Sequence, residues 1–372
     1  MWKKEKKVIL SPCGTSILTN KVDDNLRPLI FKYANTPDEI SGSEGEALKK
    51  HIKERREYLL QLSPMEASKI SAEINGIYRI YQKNIALGSE DIHILIATDT
   101  WFGRETARMV KEWLQKQGIK NVQVWDDIGG LRTDSLENFH CAVSELIRRL
   151  HETLPGYRDN GFRIIFNLTG GFKSIQGVLQ TLSQFYADEA VYIFETSEEL
   201  LCIPRLPLVL DVLDSIKENL TVWRRLALGL PVKLEACGSI PDSFLLRLGG
   251  EVTLSPWGEL IWQQCKEEIY RERFWEPPSG RITFSEEFAK EVKDLPPDRL
   301  YEINKRMDEL AQHLEKEGHP NPGSLKCHPL KGEPVPDCTH EIYAWSDRDA
   351  RRIFGVCHGH KRFEIKRLGK HL

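Results

Sequence analysis

The stretch Arg163-Ile164-Ile165-Phe166-Asn167-Leu168-Thr169-Gly170-Gly171-Phe172-Lys173-Ser174 decides the fold class. A short β-rich run ends in a polar residue, two glycines follow, and a helical pattern begins at once. Ile175, Val178, Leu179, Leu182 and Tyr186 then recur at helical steps. The same texture repeats on either side, with apolar runs at 7–10, 92–97, 122–125 and 191–194 and a second helical stripe at Leu136, Phe139, Val143, Ile147 and Leu150. Strands alternating with helices of this length predict parallel βαβ units in a doubly wound α/β sheet.

Open α/β sheets bind ligands at the carboxyl ends of their strands. Three loops leave such ends: 11–16, 97–103 and 167–174. The third has the strongest physical logic. Gly170 and Gly171 allow close backbone approach, and a helix start offers free N–H groups to an anion. Lys173 sits in the first helical turn, where a cation is unfavourable for the helix dipole unless an anion neutralises it. The spacing is neither G-x-x-x-x-G-K-[ST] nor G-x-G-x-x-G. It fits a phosphate cradle, or a glycine turn that merely packs helix on strand.

Around this core the chain changes character. Residues 38–88 are charged and helical in pattern with no strand signal, and read as a solvated helical insertion. Near Pro204-Arg205-Leu206-Pro207 the alternation stops. Residues 205–275 hold nine basic and ten acidic residues and lead into Glu251-Val252-Thr253-Leu254-Ser255-Pro256-Trp257-Gly258, a short strand and turn before a helix. This resembles a small winged-helix unit, although a DNA-binding one needs a basic helix to meet phosphate. Glu276-Pro277-Pro278-Ser279-Gly280 reads as a linker. Beyond it Leu300, Ile303, Met307, Leu310 and Leu314 form one apolar helix face, followed by β segments at 340–345, 351–357 and 362–368, an α+β pattern. The expected division is 1–207, 208–276 and 281–372.

The chain has 372 residues, 40% of them apolar and 29% charged. It is too long for one domain of ~100–150 residues. No run approaches the ~18 apolar residues of a membrane helix. Only Val8-Ile9-Leu10 follow the basic N-terminal residues before Ser11-Pro12, so no signal-peptide pattern is expected. The reading is cytoplasmic, with no membrane partner. The eight cysteines show no C-x-x-C spacing, so they are expected to be reduced and no metal site is expected. The net charge of −3 hides an asymmetry: residues 350–372 carry seven Lys/Arg against Glu364, a balance of +6, on a body of −9. That end is expected to meet a polyanion.

Period two along 362–368 sends Phe363 and Ile365 to one face and Arg362 and Lys366 to the other. With Arg351, Arg352 and Lys370 nearby, several cations on one sheet face could clamp a phosphodiester and stabilise its transition state. A histidine could move the protons. The alternative is an ordinary polar sheet face that happens to be basic.

The string Ile9-Leu10-Ser11-Pro12-Cys13-Gly14-Thr15-Ser16-Ile17-Leu18-Thr19-Asn20 resembles the opening of CRISPR-associated Rossmann fold (CARF) sensor domains. Residues 167–174 resemble their second signature, and Tyr192-Ile193-Phe194-Glu195 and Pro204-Arg205-Leu206-Pro207 also fit, so the resemblance spans residues 1–207. It implies a Rossmann-like sensor of cyclic oligoadenylate, usually the tetra-adenylate, held at the axis of a homodimer. By that resemblance Ser11, Gly14, Thr15 and Ser16 line the ring, and Gly170, Gly171 and Lys173 hold phosphates. Asn167, Thr169 and Ser174 belong to the same signature, and Asp99 and Thr100 are further candidates.

Residues 281–372 resemble the RelE family of messenger-RNA interferases. The features, in order, are Phe284-Ser285, a long helix, His328-Pro329-Leu330-Lys331-Gly332, His340-Glu341-Ile342-Tyr343, Arg351-Arg352-Ile353-Phe354 and a basic tail. Family members work without metal, the substrate's own 2′-hydroxyl attacking the adjacent phosphate. Carried over, Arg352 or Arg351 and Lys366 would hold the phosphate, Lys370 would help, and His371 would move protons, with His340 and Tyr343 as second choices. The chain lacks the C-terminal Tyr of the founding pattern, which leaves the proton donor open. The expectation is a cyclic-oligoadenylate-activated ribonuclease acting on messenger RNA at the ribosome, with no cofactor. The alternative is a ligand-responsive winged-helix DNA-binding regulator with an inert C-terminal domain.

Overall fold

The structure is a computed structural model that describes residues 5–20, 22–194, 199–332, 335–359 and 361–370. Glu195 and His371 lie outside these residues. The chain divides into two compact units, Met1–Val209 and Leu210–Leu372.

The first unit contains strands β1 (Lys7–Pro12), β2 (Ile92–Ile96), β3 (Asn121–Trp125), β4 (Arg163–Asn167), β5 (Glu189–Ile193) and β6 (Leu200–Pro204). Its helices are α1 (Ser16–Thr19), α2 (Leu26–Lys32), α3 (Gly42–Gln61), α4 (Pro64–Ser68), α5 (Ala72–Ile80), α6 (Trp101–Lys116), α7 (Leu136–Asp159) and α8 (Lys173–Tyr186). They build a mixed α/β fold around a six-stranded, mostly parallel sheet of order β3-β2-β1-β4-β5-β6, consistent with a Rossmann-like fold. The apolar runs read from the sequence are its five parallel strands. Val8, Ile9 and Leu10 are fully buried, as an interior strand covered on both faces requires. Strand β6 was not anticipated; it runs antiparallel to β5 at the sheet edge.

The segment 38–88 is not a solvated insertion. Leu48, Ile52 and Leu59 of α3 and Ile74 and Ile77 of α5 are buried in the same apolar cluster as Ile9 and Leu95 of the central strands. Charges on the outward sides of these helices conceal a face that completes the core.

The second unit opens with α9 (Leu213–Glu218), α10 (Leu220–Ala227), the hairpin β7 (Leu245–Leu248) and β8 (Glu251–Leu254), and α11 (Pro256–Glu272). Trp223, Leu254, Trp262 and Ile269 fill the core between them. It continues through β9 (Ile282–Phe284), α12 (Glu286–Lys293), α13 (Pro297–Glu315), β10 (His328–Pro329), β11 (His340–Trp345), β12 (Arg351–His358) and β13 (Arg362–Lys370). These strands form a five-stranded sheet of order β10-β11-β12-β13-β9. Leu300, Ile303, Met307, Leu310 and Leu314 of α13 are all buried, each worth roughly 1.5–3 kcal/mol of transfer free energy as an upper bound.

The expected linker at 276–280 is not a free tether. The Glu276 carbonyl accepts from Arg224 Nη1 (2.7 Å) and the Pro278 carbonyl from Arg225 Nη1 (2.8 Å), while Ser279 is buried. Its prolines set an extended path, and two arginines of α10 pin that path to the protein.

Candidate functional site

In the first unit a cavity of about 410 Å³ opens at the carboxyl ends of β1, β2 and β4. Gly14 and Thr15 line it from the loop after β1, Thr98 and Thr100 from the loop after β2, and Gly171, Phe172 and Lys173 from the loop after β4. These are the three loops singled out in the sequence. The loop after β3 adds Arg132 and Thr133, and the segment before α3 adds Ala34 and Asn35. Arg132 and Lys173 are cations, and no carboxylate is among the described lining residues.

Local chemistry explains each placement. Thr100 caps α6, its hydroxyl accepting from the Gly103 N–H at 3.0 Å. Helix α8 has no side-chain cap and no acidic residue in its first turn, which leaves its N-terminal dipole uncompensated beside the cavity. Gly171 sits at φ +93°, where a Cβ would fall 2.9 Å from the Pro12 ring, so the turn into α8 requires glycine.

Several expected ligand contacts do other work. Ser11 is buried, its hydroxyl accepting from Asn167 Nδ2 at 3.1 Å. That same amide donates to the Glu73 carbonyl at 3.1 Å, so Asn167 joins β4 to α5. Thr169 and Ser174 are outside the lining, Ser174 on the exposed side of α8. The Asp99 carboxylate is consumed by two ion pairs, to Arg104 Nη1 (3.0 Å) and Arg132 Nη1 (2.7 Å). It positions Arg132 instead of touching a ligand.

The largest correction concerns the backbone donors. The N–H groups of Gly14, expected to line the ring, and Gly171, expected to hold a phosphate, both donate to Oε1 of buried Glu73, at 2.8 and 3.3 Å. Glu73 comes from α5, and Ser16 turns its hydroxyl to Glu73 Oε2 at 3.3 Å instead of to the cavity. Gly170 abuts the same side chain: a Cβ there would lie 2.3 Å from Oε1. The polar side chains left facing the cavity include Lys173, Arg132 and the threonines of the lining. Neither Arg132 nor Glu73 had a local signature, though Gly129-Gly130 after β3 marked a further loop of the same kind.

In the second unit the basic strands carry a device the even alternation did not predict. The β12–β13 ladder pairs Phe354 with Arg367 and Gly355 with Ile365, leaving Lys366 as a bulge. A bulge re-aims side chains, and consecutive Lys366 and Arg367 both line a cavity of about 610 Å³ with Ser285, Glu287, Asp337, Thr339 and Val356. Lys366 Nζ contacts Glu364 Oε1 at 2.6 Å, and Arg367 Nη2 lies 3.8 Å from Glu287 Oε2.

Of the seven residues proposed for catalysis, His371 lies outside the described residues, and the six described ones do not form one cluster. Alternation along β12 sends Arg352, Phe354 and Val356 to the face away from α13, and Arg351 and Ile353 to the face toward it. Tyr343 pairs across the ladder with Arg352, whose guanidinium carbon stacks 3.5 Å from the ring centroid. Arg352 is buried, and its Nη1 donates to the Trp345 and Arg351 carbonyls. Lys370 pairs with Arg351, and His340 with Gly355, on the other face. Arg367, missed in the sequence, faces the cavity beside Lys366. Next to Tyr343, Lys326 Nζ lies 4.9 Å from its ring and His328 Nε2 lies 3.0 Å from Glu341 Oε1.

Residues 68–206 match the family model described as CRISPR-associated protein (Cas_APE2256). The matched stretch contains Glu73, Asp99, Arg132 and the whole 167–174 loop, and it supports a CRISPR-linked role. Among the described residues no helix is long and apolar enough to cross a membrane.

Proposed function

We propose that the chain is a ligand-gated ribonuclease of CRISPR defence: cyclic tetra-adenylate binds the first unit of a homodimer, and the second unit then cleaves messenger RNA at the ribosomal A site. The observation that carries this reading is the cavity at the strand ends. Its described lining combines two cations, several hydroxyls and an aromatic ring without a carboxylate, chemistry suited to a nucleotide polyanion. A ring with two-fold symmetry suits a two-fold axis between protomers.

The effector half rests on Lys366 and Arg367, turned to one cavity by the bulge. In the proposed reaction the 2′-hydroxyl gives up its proton and its oxygen attacks phosphorus. The bond to the 5′-oxygen breaks and that oxygen takes up a proton, leaving a 2′,3′-cyclic phosphate and a 5′-hydroxyl. The two cations stabilise the charge that develops on the non-bridging oxygens. The ligand can favour the cleaving state only by binding it more tightly than the resting one.

The DNA-binding alternative has less support. Residues 205–275 hold nine basic and ten acidic residues, and Arg224 is fully buried, a poor balance for meeting phosphates.

Messenger integrity in a reconstituted translation reaction tests the proposal, with no ligand, cyclic tetra-adenylate or cyclic hexa-adenylate. Cleavage at the A-site codon with one ring only is the expected result. Intact messenger with every ring would overturn it.

A further inference from the structure

Glu73 is only 1% exposed and is absent from the cavity lining, yet both glycine loops of the cavity end on it. We infer that Glu73 is the positioning and affinity-setting residue of the ligand cavity: its carboxylate fastens the loop after β1 to the loop after β4, and its negative charge behind those loops weakens the binding of the anion they receive. The inference rests on the reading above that the cavity takes an anionic ligand.

The fastening is read from the hydrogen bonds. Oε1 accepts from the Gly14 and Gly171 N–H groups, and Oε2 from the hydroxyls of Ser16 (3.3 Å) and Ser71 (2.7 Å). Each oxygen thus has two donors, and a buried carboxylate so satisfied is costly to pull away. The loops meet there directly, since a Cβ on Gly14 would lie 3.3 Å from Gly171 Cα. Helix α5, which carries Glu73, is tied to the sheet by Asn167. An arriving phosphate therefore finds these two backbone donors already occupied by a group of its own charge.

The charge reaches the cavity through the loops. Cys13, which lines the cavity and is buried, has its thiol pushed well up, first by burial and second by the nearby Glu73 charge. An anion on Lys173 and Arg132 meets the same field, attenuated by solvent on the side where Lys173 is exposed.

Two variants separate brace from charge. Glu73→Gln keeps an oxygen for Gly14 and Gly171, and its amide N–H groups can donate to the serine hydroxyls, which accept as readily as they donate. It retains the brace and removes the charge. Glu73→Ala removes both. With the full chain and cyclic tetra-adenylate, titration calorimetry should show Glu73→Gln binding roughly threefold to tenfold tighter than wild type, and Glu73→Ala at least roughly tenfold weaker. Amide exchange at Gly14 and Gly171, and alkylation of Cys13 by iodoacetamide located by mass spectrometry, read the brace without any ligand. Both should be fast in the alanine variant and near wild type in the glutamine variant.

Equal weakening by the two variants would overturn the charge effect, and an alanine variant with Cys13 still protected would overturn the brace. If wild type binds no cyclic oligoadenylate, the ligand reading and the affinity effect fall together, while exchange and alkylation still decide the brace.

Discussion

Arg224 and Asp308 form an ion pair inside the second unit, Nε to Oδ1 at 2.8 Å, with both side chains buried. Arg224 belongs to α10 of the connector and Asp308 to α13 of the C-terminal α+β segment. The contact is part of a larger buried network: Arg224 Nη2 donates to the Asn304 carbonyl at 3.1 Å, the Tyr270 hydroxyl donates to Asp308 Oδ2, and Asn304 Nδ2 donates to the Tyr270 and Arg273 carbonyls. Two segments that the sequence separates by a proline-rich stretch are thereby one body, and a movement of α10 or α11 carries α13 with it.

Asp308→Ala leaves the Arg224 guanidinium buried with no carboxylate partner and should cost about 3–5 kcal/mol of second-unit stability. Arg224→Ala should cost less, because Lys266 Nζ lies 3.8 Å from Asp308 Oδ2 and the Tyr270 hydroxyl still donates to it. Tryptophan fluorescence during urea unfolding reports this, because Trp223 and Trp262 lie in the adjoining apolar cluster. A midpoint within error of wild type would show that the pair contributes nothing.

Asp99 supplies a second prediction. It holds Arg132 at 2.7 Å and also accepts from the Gly130 N–H at 2.8 Å, so its loss loosens the loop after β3 and leaves the guanidinium held by Asp134 alone, away from its wild-type position. Asp99→Ala should weaken cyclic tetra-adenylate about tenfold, and Arg132→Ala by a similar amount, for one charge-assisted contact each. The double variant should be little worse than either single one, since both act through one guanidinium. Additive losses in titration calorimetry would mean that Asp99 touches the ligand itself.

Much of the fold was legible because buried parallel strands read as unbroken apolar runs. Strand β6 was not, since it is a sheet edge with Leu201 and Cys202 exposed. Segment 38–88 misled because its charges crowd into residues 44–57, where only Leu48 and Ile52 mark the buried face of α3. The ligand loops were visible through their glycines. Glu73 was invisible because it meets Gly14 and Gly171 across 59 and 98 residues of chain, and no local pattern encodes such a contact. The bulge left one faint signal: buried Phe363 and Ile365 are two apart, but the next apolar residue, Leu368, follows after three.

Acid should weaken the first unit through His93. This histidine of β2 is fully buried, and burial lowers it from the ordinary 6.5 to about 3. Its Nε2 meets the Tyr81 hydroxyl at 3.0 Å, and its Nδ1 has no hydrogen-bond partner, so a second proton would be stranded in the core. The unfolded chain takes up that proton below its ordinary value while the folded chain does not. Stability is therefore lost as pH falls from about 6.5 toward about 3, by at most ~1.4 kcal/mol per pH unit. Between pH 7 and pH 5 wild type should lose roughly 2 kcal/mol more than a His93→Gln variant, which has no proton to gain. Parallel losses in urea midpoints followed by circular dichroism would remove His93 as the cause.

If the second unit cleaves messenger RNA as proposed, the bulge predicts which of its cations take part. Lys366 and Arg367 share a cavity because the ladder slips between Phe354 and Gly355, whereas Arg351 and Lys370 pair on the opposite face. Evenly alternating strands would have put Lys366 and Arg367 on opposite faces, so any joint action depends on the slip. If both stabilise the charge on the phosphate oxygens, Lys366→Ala and Arg367→Ala should each lower messenger cleavage by roughly 10²-fold. Arg351→Ala and Lys370→Ala should stay within about threefold of wild type, as surface changes away from the reacting group do. The readout is the initial cleavage rate in ligand-activated translation reactions, with the melting temperature of each variant measured alongside to separate catalysis from folding. A large loss from Arg351 or Lys370, with Lys366 and Arg367 dispensable, would move the reacting phosphate to the other face of the sheet.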